Sequence, residues 1–114
     1  MSLTLWSHPY SAYGQKASVA LYELGLPFDQ MLVEAGNEAV MAEFRALSPF
    51  GKMPALVDTS TGRTLYESSI VIEYLDSLSG GGRLIPADPG AALEARLVDR
   101  MVDTYAGGPM NRII

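Results

Sequence analysis

Cysteine is absent from this 114-residue chain, and histidine occurs once, as His8. Without thiols there is no disulfide framework, no thiolate zinc site, no iron–sulfur cluster and no CxxC redox chemistry. A lone imidazole with no second histidine beside it is a poor metal site, so no metal is expected. Basic side chains are scarce as well: eight stand against thirteen acidic ones, for a net charge of −5. That balance excludes a large nucleic-acid footprint, because no basic patch displaces counterions from phosphates. Local anion binding through backbone N–H groups stays open. No apolar run reaches the ~18 residues of a membrane-spanning helix, and the N-terminus lacks the basic-then-apolar pattern of a secretory signal. The expectation is a soluble, cytoplasmic protein with neither membrane nor nucleic acid as a partner.

What is present is a globular balance, 48% hydrophobic and 18% charged residues. The length suits one compact domain. Residues 3–6 read as a short buried strand, ended by Pro9, which cannot donate to a ladder. Tyr13, Ala17, Ala20, Leu21 and Leu24 then fall on one helical stripe, with Ser11 placed to cap it and Gly25 to stop it. Residues 28–33 suit a second strand, and residues 38–47 a short helix with Met41 and Phe44 inward. Residues 55–57 and 63–66 form a hairpin around Thr59-Ser60-Thr61-Gly62. Val71, Tyr74, Leu75 and Leu78 mark the next helix, which begins near Ser68 or Ser69. Gly80-Gly81-Gly82 and Pro86-Ala87-Asp88-Pro89 mark a linker. Beyond it Leu93, Leu97, Met101 and Tyr105 form one more stripe, broken at Gly107-Gly108-Pro109. A βαβ half followed by a ββα half builds one mixed sheet with helices packed on it. The last helix cannot bury its own stripe and needs either more chain or another subunit.

Three places carry chemistry. Ser11 sits where a strand turns into a helix N-terminus, a position that favours an anion. Its hydroxyl is either a plain N-cap or a donor that lowers the pKa of a bound thiolate. Gly51-Lys52-Met53-Pro54 suits a backbone edge held open for a ligand, with Lys52 either solvated or paired with a ligand carboxylate. On local grounds alone, Pro54 is a trans proline that opens a strand. Glu67 and Ser68 precede a helix and are either a capping pair or a recognition site for an amino-acid zwitterion. His8 is read as structural or as a pocket-rim residue. No GxSxG elbow accompanies it, and His8 and Ser11 sit in one short turn, which makes a Ser-His-Asp hydrolase a poor reading.

Taken together, the segments resemble the N-terminal half of a glutathione transferase. Leu5-Trp6-Ser7-His8-Pro9-Tyr10-Ser11-Ala12-Tyr13-Gly14-Gln15-Lys16, running into Val19-Ala20-Leu21-Tyr22-Glu23-Leu24-Gly25-Leu26-Pro27-Phe28, is similar to that family's opening strand and helix. Ser48-Pro49-Phe50-Gly51-Lys52-Met53-Pro54-Ala55-Leu56 resembles its N-P-x-G-K-V-P-x-L loop, and Leu65-Tyr66-Glu67-Ser68-Ser69-Ile70 its E-S-x-A-I helix start. Leu84-Ile85-Pro86-Ala87-Asp88-Pro89 matches its interdomain linker. Each motif is weak alone; four in order, with suitable spacing, are specific.

The resemblance implies an α/β, thioredoxin-like βαβ-ββα domain with a mixed four-stranded sheet over residues 1–79. A linker over residues 80–90 follows, and residues 91–114 hold the first helix of a truncated all-helical domain. It implies glutathione as co-substrate, with no separate cofactor, and a homodimer. Ser11 would stabilise the glutathione thiolate, or else Tyr10 or Tyr13 beside it would. Met53 would pair its backbone with the cysteinyl part, next to a cis Pro54. Lys52 would lie near the glycyl end, and Glu67 with Ser68 would hold the γ-glutamyl group. The implied activity is detoxifying transfer of that thiolate to a small hydrophobic electrophile, whose pocket would begin from Leu93 onward. The other reading is a glutathione-transferase-like binding or regulatory module without turnover. The apolar ending Arg112-Ile113-Ile114 fits a chain that continues. The missing cysteine argues against a thioredoxin-like redox protein.

Overall fold

The computed structural model describes residues 2–108; the expectations for Pro109 and for the apolar ending at residues 110–114 lie outside the described residues. The elements are β1 (Leu3–Ser7), α1 (Ala12–Leu24), β2 (Asp29–Leu32), α2 (Glu38–Leu47), β3 (Ala55–Asp58), β4 (Arg63–Tyr66), α3 (Ser68–Leu78) and α4 (Pro89–Val102). A π-helical turn, Asp103–Gly107, continues α4. The sheet runs β2-β1-β3-β4, with β1 parallel to β2 and antiparallel to β3, and β3 antiparallel to β4. This is the expected thioredoxin-like βαβ-ββα order.

The two-residue period of β1 divides the core. Leu3 and Leu5 join Leu56 from β3 on one face, covered by Ala17, Ala20, Leu21 and Leu24 of α1 and by Val71 and Leu75 of α3. Trp6 and Ala55 face the other way and pack with Val33 and with Phe44 of α2. Each large side chain removed from water here contributes ~1.5–3 kcal/mol before entropy is counted. Phe44 is buried as expected, whereas Met41 is only half-buried at the margin of the second cluster.

Helix boundaries follow from capping chemistry. Ser11 accepts the N–H of Gly14 at 3.0 Å, and Gly25 closes α1 in the left-handed region at φ 66°, where a side chain would be strained. Asp88 accepts the N–H of Ala91 at 2.9 Å, and Pro89 occupies the first turn, where the missing N–H leaves no bond unmade. The last helix therefore starts two residues before residue 91, where the resemblance places its beginning. Among the described residues no helix is long and apolar enough to cross a membrane.

Two readings of the apolar stripes are corrected. On α1 the residue buried against the strand is Gly14, while Tyr13 is half-buried and turns toward α4. A Cβ at Gly14 would lie 1.7 Å from Ser7 Oγ, so the close approach of α1 to β1 requires glycine there. On α3, Tyr74 uses its place on the stripe to donate its hydroxyl to buried Asp58 at 2.6 Å. The Ser60 hydroxyl and Tyr74 hold the Asp58 carboxyl below its ordinary pKa, outweighing burial, which raises it.

The linker is anchored by Asp76, a buried carboxylate on α3 that accepts backbone N–H groups from Arg83, Leu84 and Ile85 at 3.0–3.1 Å. Burial raises its pKa, but the amides of Leu84, Ile85 and Arg83 outweigh that and leave it lowered. Beyond the linker, Leu93, Leu97, Met101 and Tyr105 are 49–76% exposed, so nothing within the described chain covers that stripe.

Candidate functional site

Four loops, one of them residues 33–36 after β2, together with the end of α4, line a groove of about 1160 Å³. The β1–α1 loop supplies His8, Tyr10 and Ser11; the loop before β3 supplies Gly51, Lys52 and Met53; the start of α3 supplies Glu67 and Ser68. Of the six residues singled out in the sequence, five line this groove, and Pro54 is buried directly behind Met53.

Ser11 is the N-cap of α1, and this does not remove it from chemistry. Its oxygen accepts the Gly14 N–H, which leaves the hydroxyl proton free to donate to an anion at the helix N-terminus. The two readings of Ser11 are compatible in one geometry. Tyr13 is differently placed: its hydroxyl donates to the Asp103 carbonyl at 2.9 Å, so its proton is already committed. Tyr10 is 67% exposed, with its ring tilted against His8.

The loop before β3 is held by buried Ser48. Its hydroxyl accepts the Lys52 N–H at 3.2 Å and donates to the Lys52 carbonyl at 3.0 Å, pinching the turn at Gly51, whose φ is 63°. The Met53–Pro54 peptide is cis, as the resemblance implies and against the purely local expectation. The β1–β3 register ends at the Trp6–Ala55 pair, so Met53 stands outside the ladder at the groove edge. Lys52 is exposed there, with its ammonium in none of the ion pairs among the described residues.

Glu67 is the N-cap of α3 but makes no side-chain capping bond, so its carboxylate is not used by the helix. Its backbone sits at φ 73° and ψ 116°, a conformation that costs a non-glycine residue on the order of 1–3 kcal/mol. Ser68 is buried in the first turn of α3. Behind it lies Lys16, whose ammonium is 3.4 Å from Ser68 Oγ, 3.3 Å from Ser69 Oγ and 2.8 Å from Asp103 Oδ2. Lys16 also pairs with Asp99, which takes the Ser69 hydroxyl as well. Burial raises the Asp99 pKa, but Lys16 and Ser69 outweigh it and hold the carboxyl below its ordinary range.

The same geometry contains residues that sequence reasoning missed. Arg100, Asp103, Thr104 and Gly108 line the groove from α4 and the π turn. Of the region expected from Leu93 onward, these residues reach the groove, whereas Leu93, Leu97, Met101 and Tyr105 do not line it. Arg100, Asp103 and Thr104 recur at i, i+3 and i+4, a polar face that was readable as helical spacing. Gly107 is also required, since a Cβ there would sit 2.9 Å from the Tyr13 ring.

The model of the family described as glutathione S-transferase, N-terminal domain, matches residues 5–83. The chain belongs to this family. Protein LigF of Sphingobium sp. is 34% identical to it over 108 residues, covering 92% of this chain and 41% of LigF. A glutathione S-transferase of Pseudomonas putida is 32% identical over 103 residues, covering 90% and 44% of the two chains. Among solved structures, a glutathione S-transferase of Methylobacterium radiotolerans in complex with glutathione sulfonate matches with a TM-score of 0.78 at 30% identity, covering 90% of this chain and 47% of that one. The crystal structure of LigF, described as a β-etherase, matches with a TM-score of 0.77 at 34% identity, covering 92% and 44%. The chain spans less than half the length of the curated relatives that it matches. The transferase resemblance drawn from the four motifs and the thioredoxin-like fold are thereby established.

Proposed function

We propose that the groove binds glutathione and that the protein transfers its thiolate to a small hydrophobic electrophile. The observation that carries this reading is the meeting of Ser11, Met53, Glu67 and Ser68, from three separate loops, on one groove. Ser11 offers a hydroxyl proton and the positive end of α1 to the sulfur, lowering its pKa and raising the thiolate population at neutral pH. Met53 offers backbone groups to the cysteinyl unit beside cis Pro54. Lys52 takes the glycyl carboxylate, while the uncommitted Glu67 carboxylate takes the γ-glutamyl ammonium and Ser68 its carboxylate. Relatives with bound glutathione or glutathione sulfonate support the ligand.

On this reading residues 1–79 form the glutathione-binding domain, residues 80–90 the linker, and residues 91–114 begin an all-helical domain. The exposed stripe of α4 supports further chain or a homodimer partner against it. The likeness to a β-etherase supports including a β-ether among the electrophiles examined. Calorimetric titration with glutathione tests the ligand. Binding is expected, weakened about tenfold by Ser68→Ala, which removes a hydroxyl from a charged group. A wild-type protein that takes up no glutathione contradicts the proposal.

A further inference from the structure

His8 is the chain's single imidazole and has no part in the glutathione contacts proposed above. It is half-buried on the groove wall beside Tyr10 and Ser11. Its Nδ1 accepts the Tyr10 backbone N–H at 3.1 Å, and the two rings lean together with centroids 5.1 Å apart. A ring nitrogen that accepts from an amide carries no proton. The imidazole is therefore the neutral tautomer with its proton on Nε2. This leaves the imidazole with one N–H donor, three residues along the chain from the hydroxyl proposed to hold the thiolate, on a wall that also carries Lys52 and Arg100. Of the two tyrosines nearby, Tyr13 on α1 already donates its hydroxyl to the Asp103 carbonyl, and Tyr10 is 67% exposed.

We propose that His8 is a specificity-determining catalytic residue of the transfer reaction. Its Nε2–H donates to an oxygen carried by the attacked carbon, so the site favours epoxides and aryl ethers over halides. The inference rests on the reading that the glutathione sulfur lies at Ser11. In the step itself the sulfur lone pair forms the C–S bond while the C–O bond breaks and its electron pair stays on oxygen. His8 holds that oxygen by a hydrogen bond and remains a neutral imidazole. The proton that the thiol gave to solvent returns to the oxygen from water, and nothing is oxidised or reduced. A donor aimed at charge that appears only in the transition state raises kcat and leaves KM nearly unchanged.

The discriminating variants are His8→Asn, whose side-chain oxygen replaces Nδ1 without a donor at the Nε2 position, and His8→Gln, whose amide nitrogen replaces Nε2. Turnover of the intact protein is measured with a chlorodinitrobenzene, styrene oxide and an aryl ether, after calorimetry has shown glutathione binding in each sample. The ratio of kcat on the oxygen electrophiles to kcat on the halide should fall about tenfold or more in His8→Asn, with acceptor KM little changed. His8→Gln should recover most of that ratio. A ratio preserved in His8→Asn overturns the inference, because it means that His8 serves only to hold the Tyr10 amide. Turnover of the halide but of neither oxygen electrophile by the wild type overturns it as well, and leaves the glutathione reading intact. Absence of glutathione binding by the wild type overturns both. Should the variants not fold, a series of aryl ethers of graded phenol acidity gives the answer with the wild type. Rates should depend less steeply on leaving-group acidity than those of free glutathione, and equal steepness counts against His8.

Discussion

The Tyr13 hydroxyl donates to the Asp103 carbonyl at 2.9 Å, joining the first helix to the π turn that ends α4. That bond separates two tyrosine roles that spacing alone leaves mixed. Because the proton is committed to a carbonyl, Tyr13→Phe should leave the pH dependence of thiol chemistry where it is in the wild type. It should instead destabilise the docking of the π turn by about 1 kcal/mol, the net worth of one such hydrogen bond. Urea unfolding and a pH–rate profile on the same variant check both halves. A profile displaced toward higher pH would return the tyrosine to the thiol.

Lys16 gathers Asp99, Asp103, Ser68 and Ser69 around one ammonium. Lys16→Met leaves two carboxylates partly buried without a cation, which should lower stability by about 2 kcal/mol, less than for a fully buried pair because water reaches the site. The loss should shrink on adding Asp99→Asn. Denaturant titration of the single and double variants measures this, and additive losses would mean that the two residues are not coupled.

Asp76 sets the acid limit of the fold together with Asp58 and Asp99. All three have folded-state pKa values lowered from the ordinary aspartate value. An unfolded aspartate then binds more protons than the folded one, so stability is full above the unfolded pKa of about 3.9 and is lost as pH falls through the lower, folded values. Asp76→Asn should cost about 2 kcal/mol at pH 7, since charged acceptor bonds to three amides become neutral ones. It should also flatten the acid limb. Unfolding free energy measured from pH 7 downward tests the sign; stability that rises on acidification would refute it.

Gly14→Ala should cost about 3 kcal/mol, because its Cβ would overlap Ser7 Oγ and force α1 away from β1. Ser7→Ala should restore only part of this, since Ser7 Cβ would still stand 3.0 Å away. Thermal unfolding of the pair checks it, and a Gly14→Ala protein as stable as the wild type would show that the approach is looser than described.

These residues also show where sequence reasoning works and where it stops. The two-residue alternation of β1 and the capping signals at Ser11 and Gly25 are local, so the order and class of the elements are legible from them. The family motifs carried the groove-lining set, because each is a short continuous segment. Tyr13, Lys16 and Gly107 were not legible in their structural roles. Each acts through partners more than 80 positions away or, for Gly107, against such a partner, and no spacing rule connects α1 to the end of α4. Tyr13 and Tyr74 look like core residues by period, yet their hydroxyls are what the fold uses. The polar wall made by Arg100, Asp103 and Thr104 belongs to none of the four motifs and flanks the apolar stripe of the same helix, so no local signal marks it as part of the groove.

The central claim is that Ser11 holds a glutathione thiolate, and its most direct test is the ionisation of bound glutathione followed by thiolate ultraviolet absorption against pH. In the wild type the bound thiol should ionise well below the ~8.5 of a free cysteine thiol. Ser11→Ala should move that midpoint back toward the free value, and so should Ser11→Asn, which keeps a capping oxygen but removes the hydroxyl. A bound thiol that titrates identically in the wild type and in both variants would contradict the account.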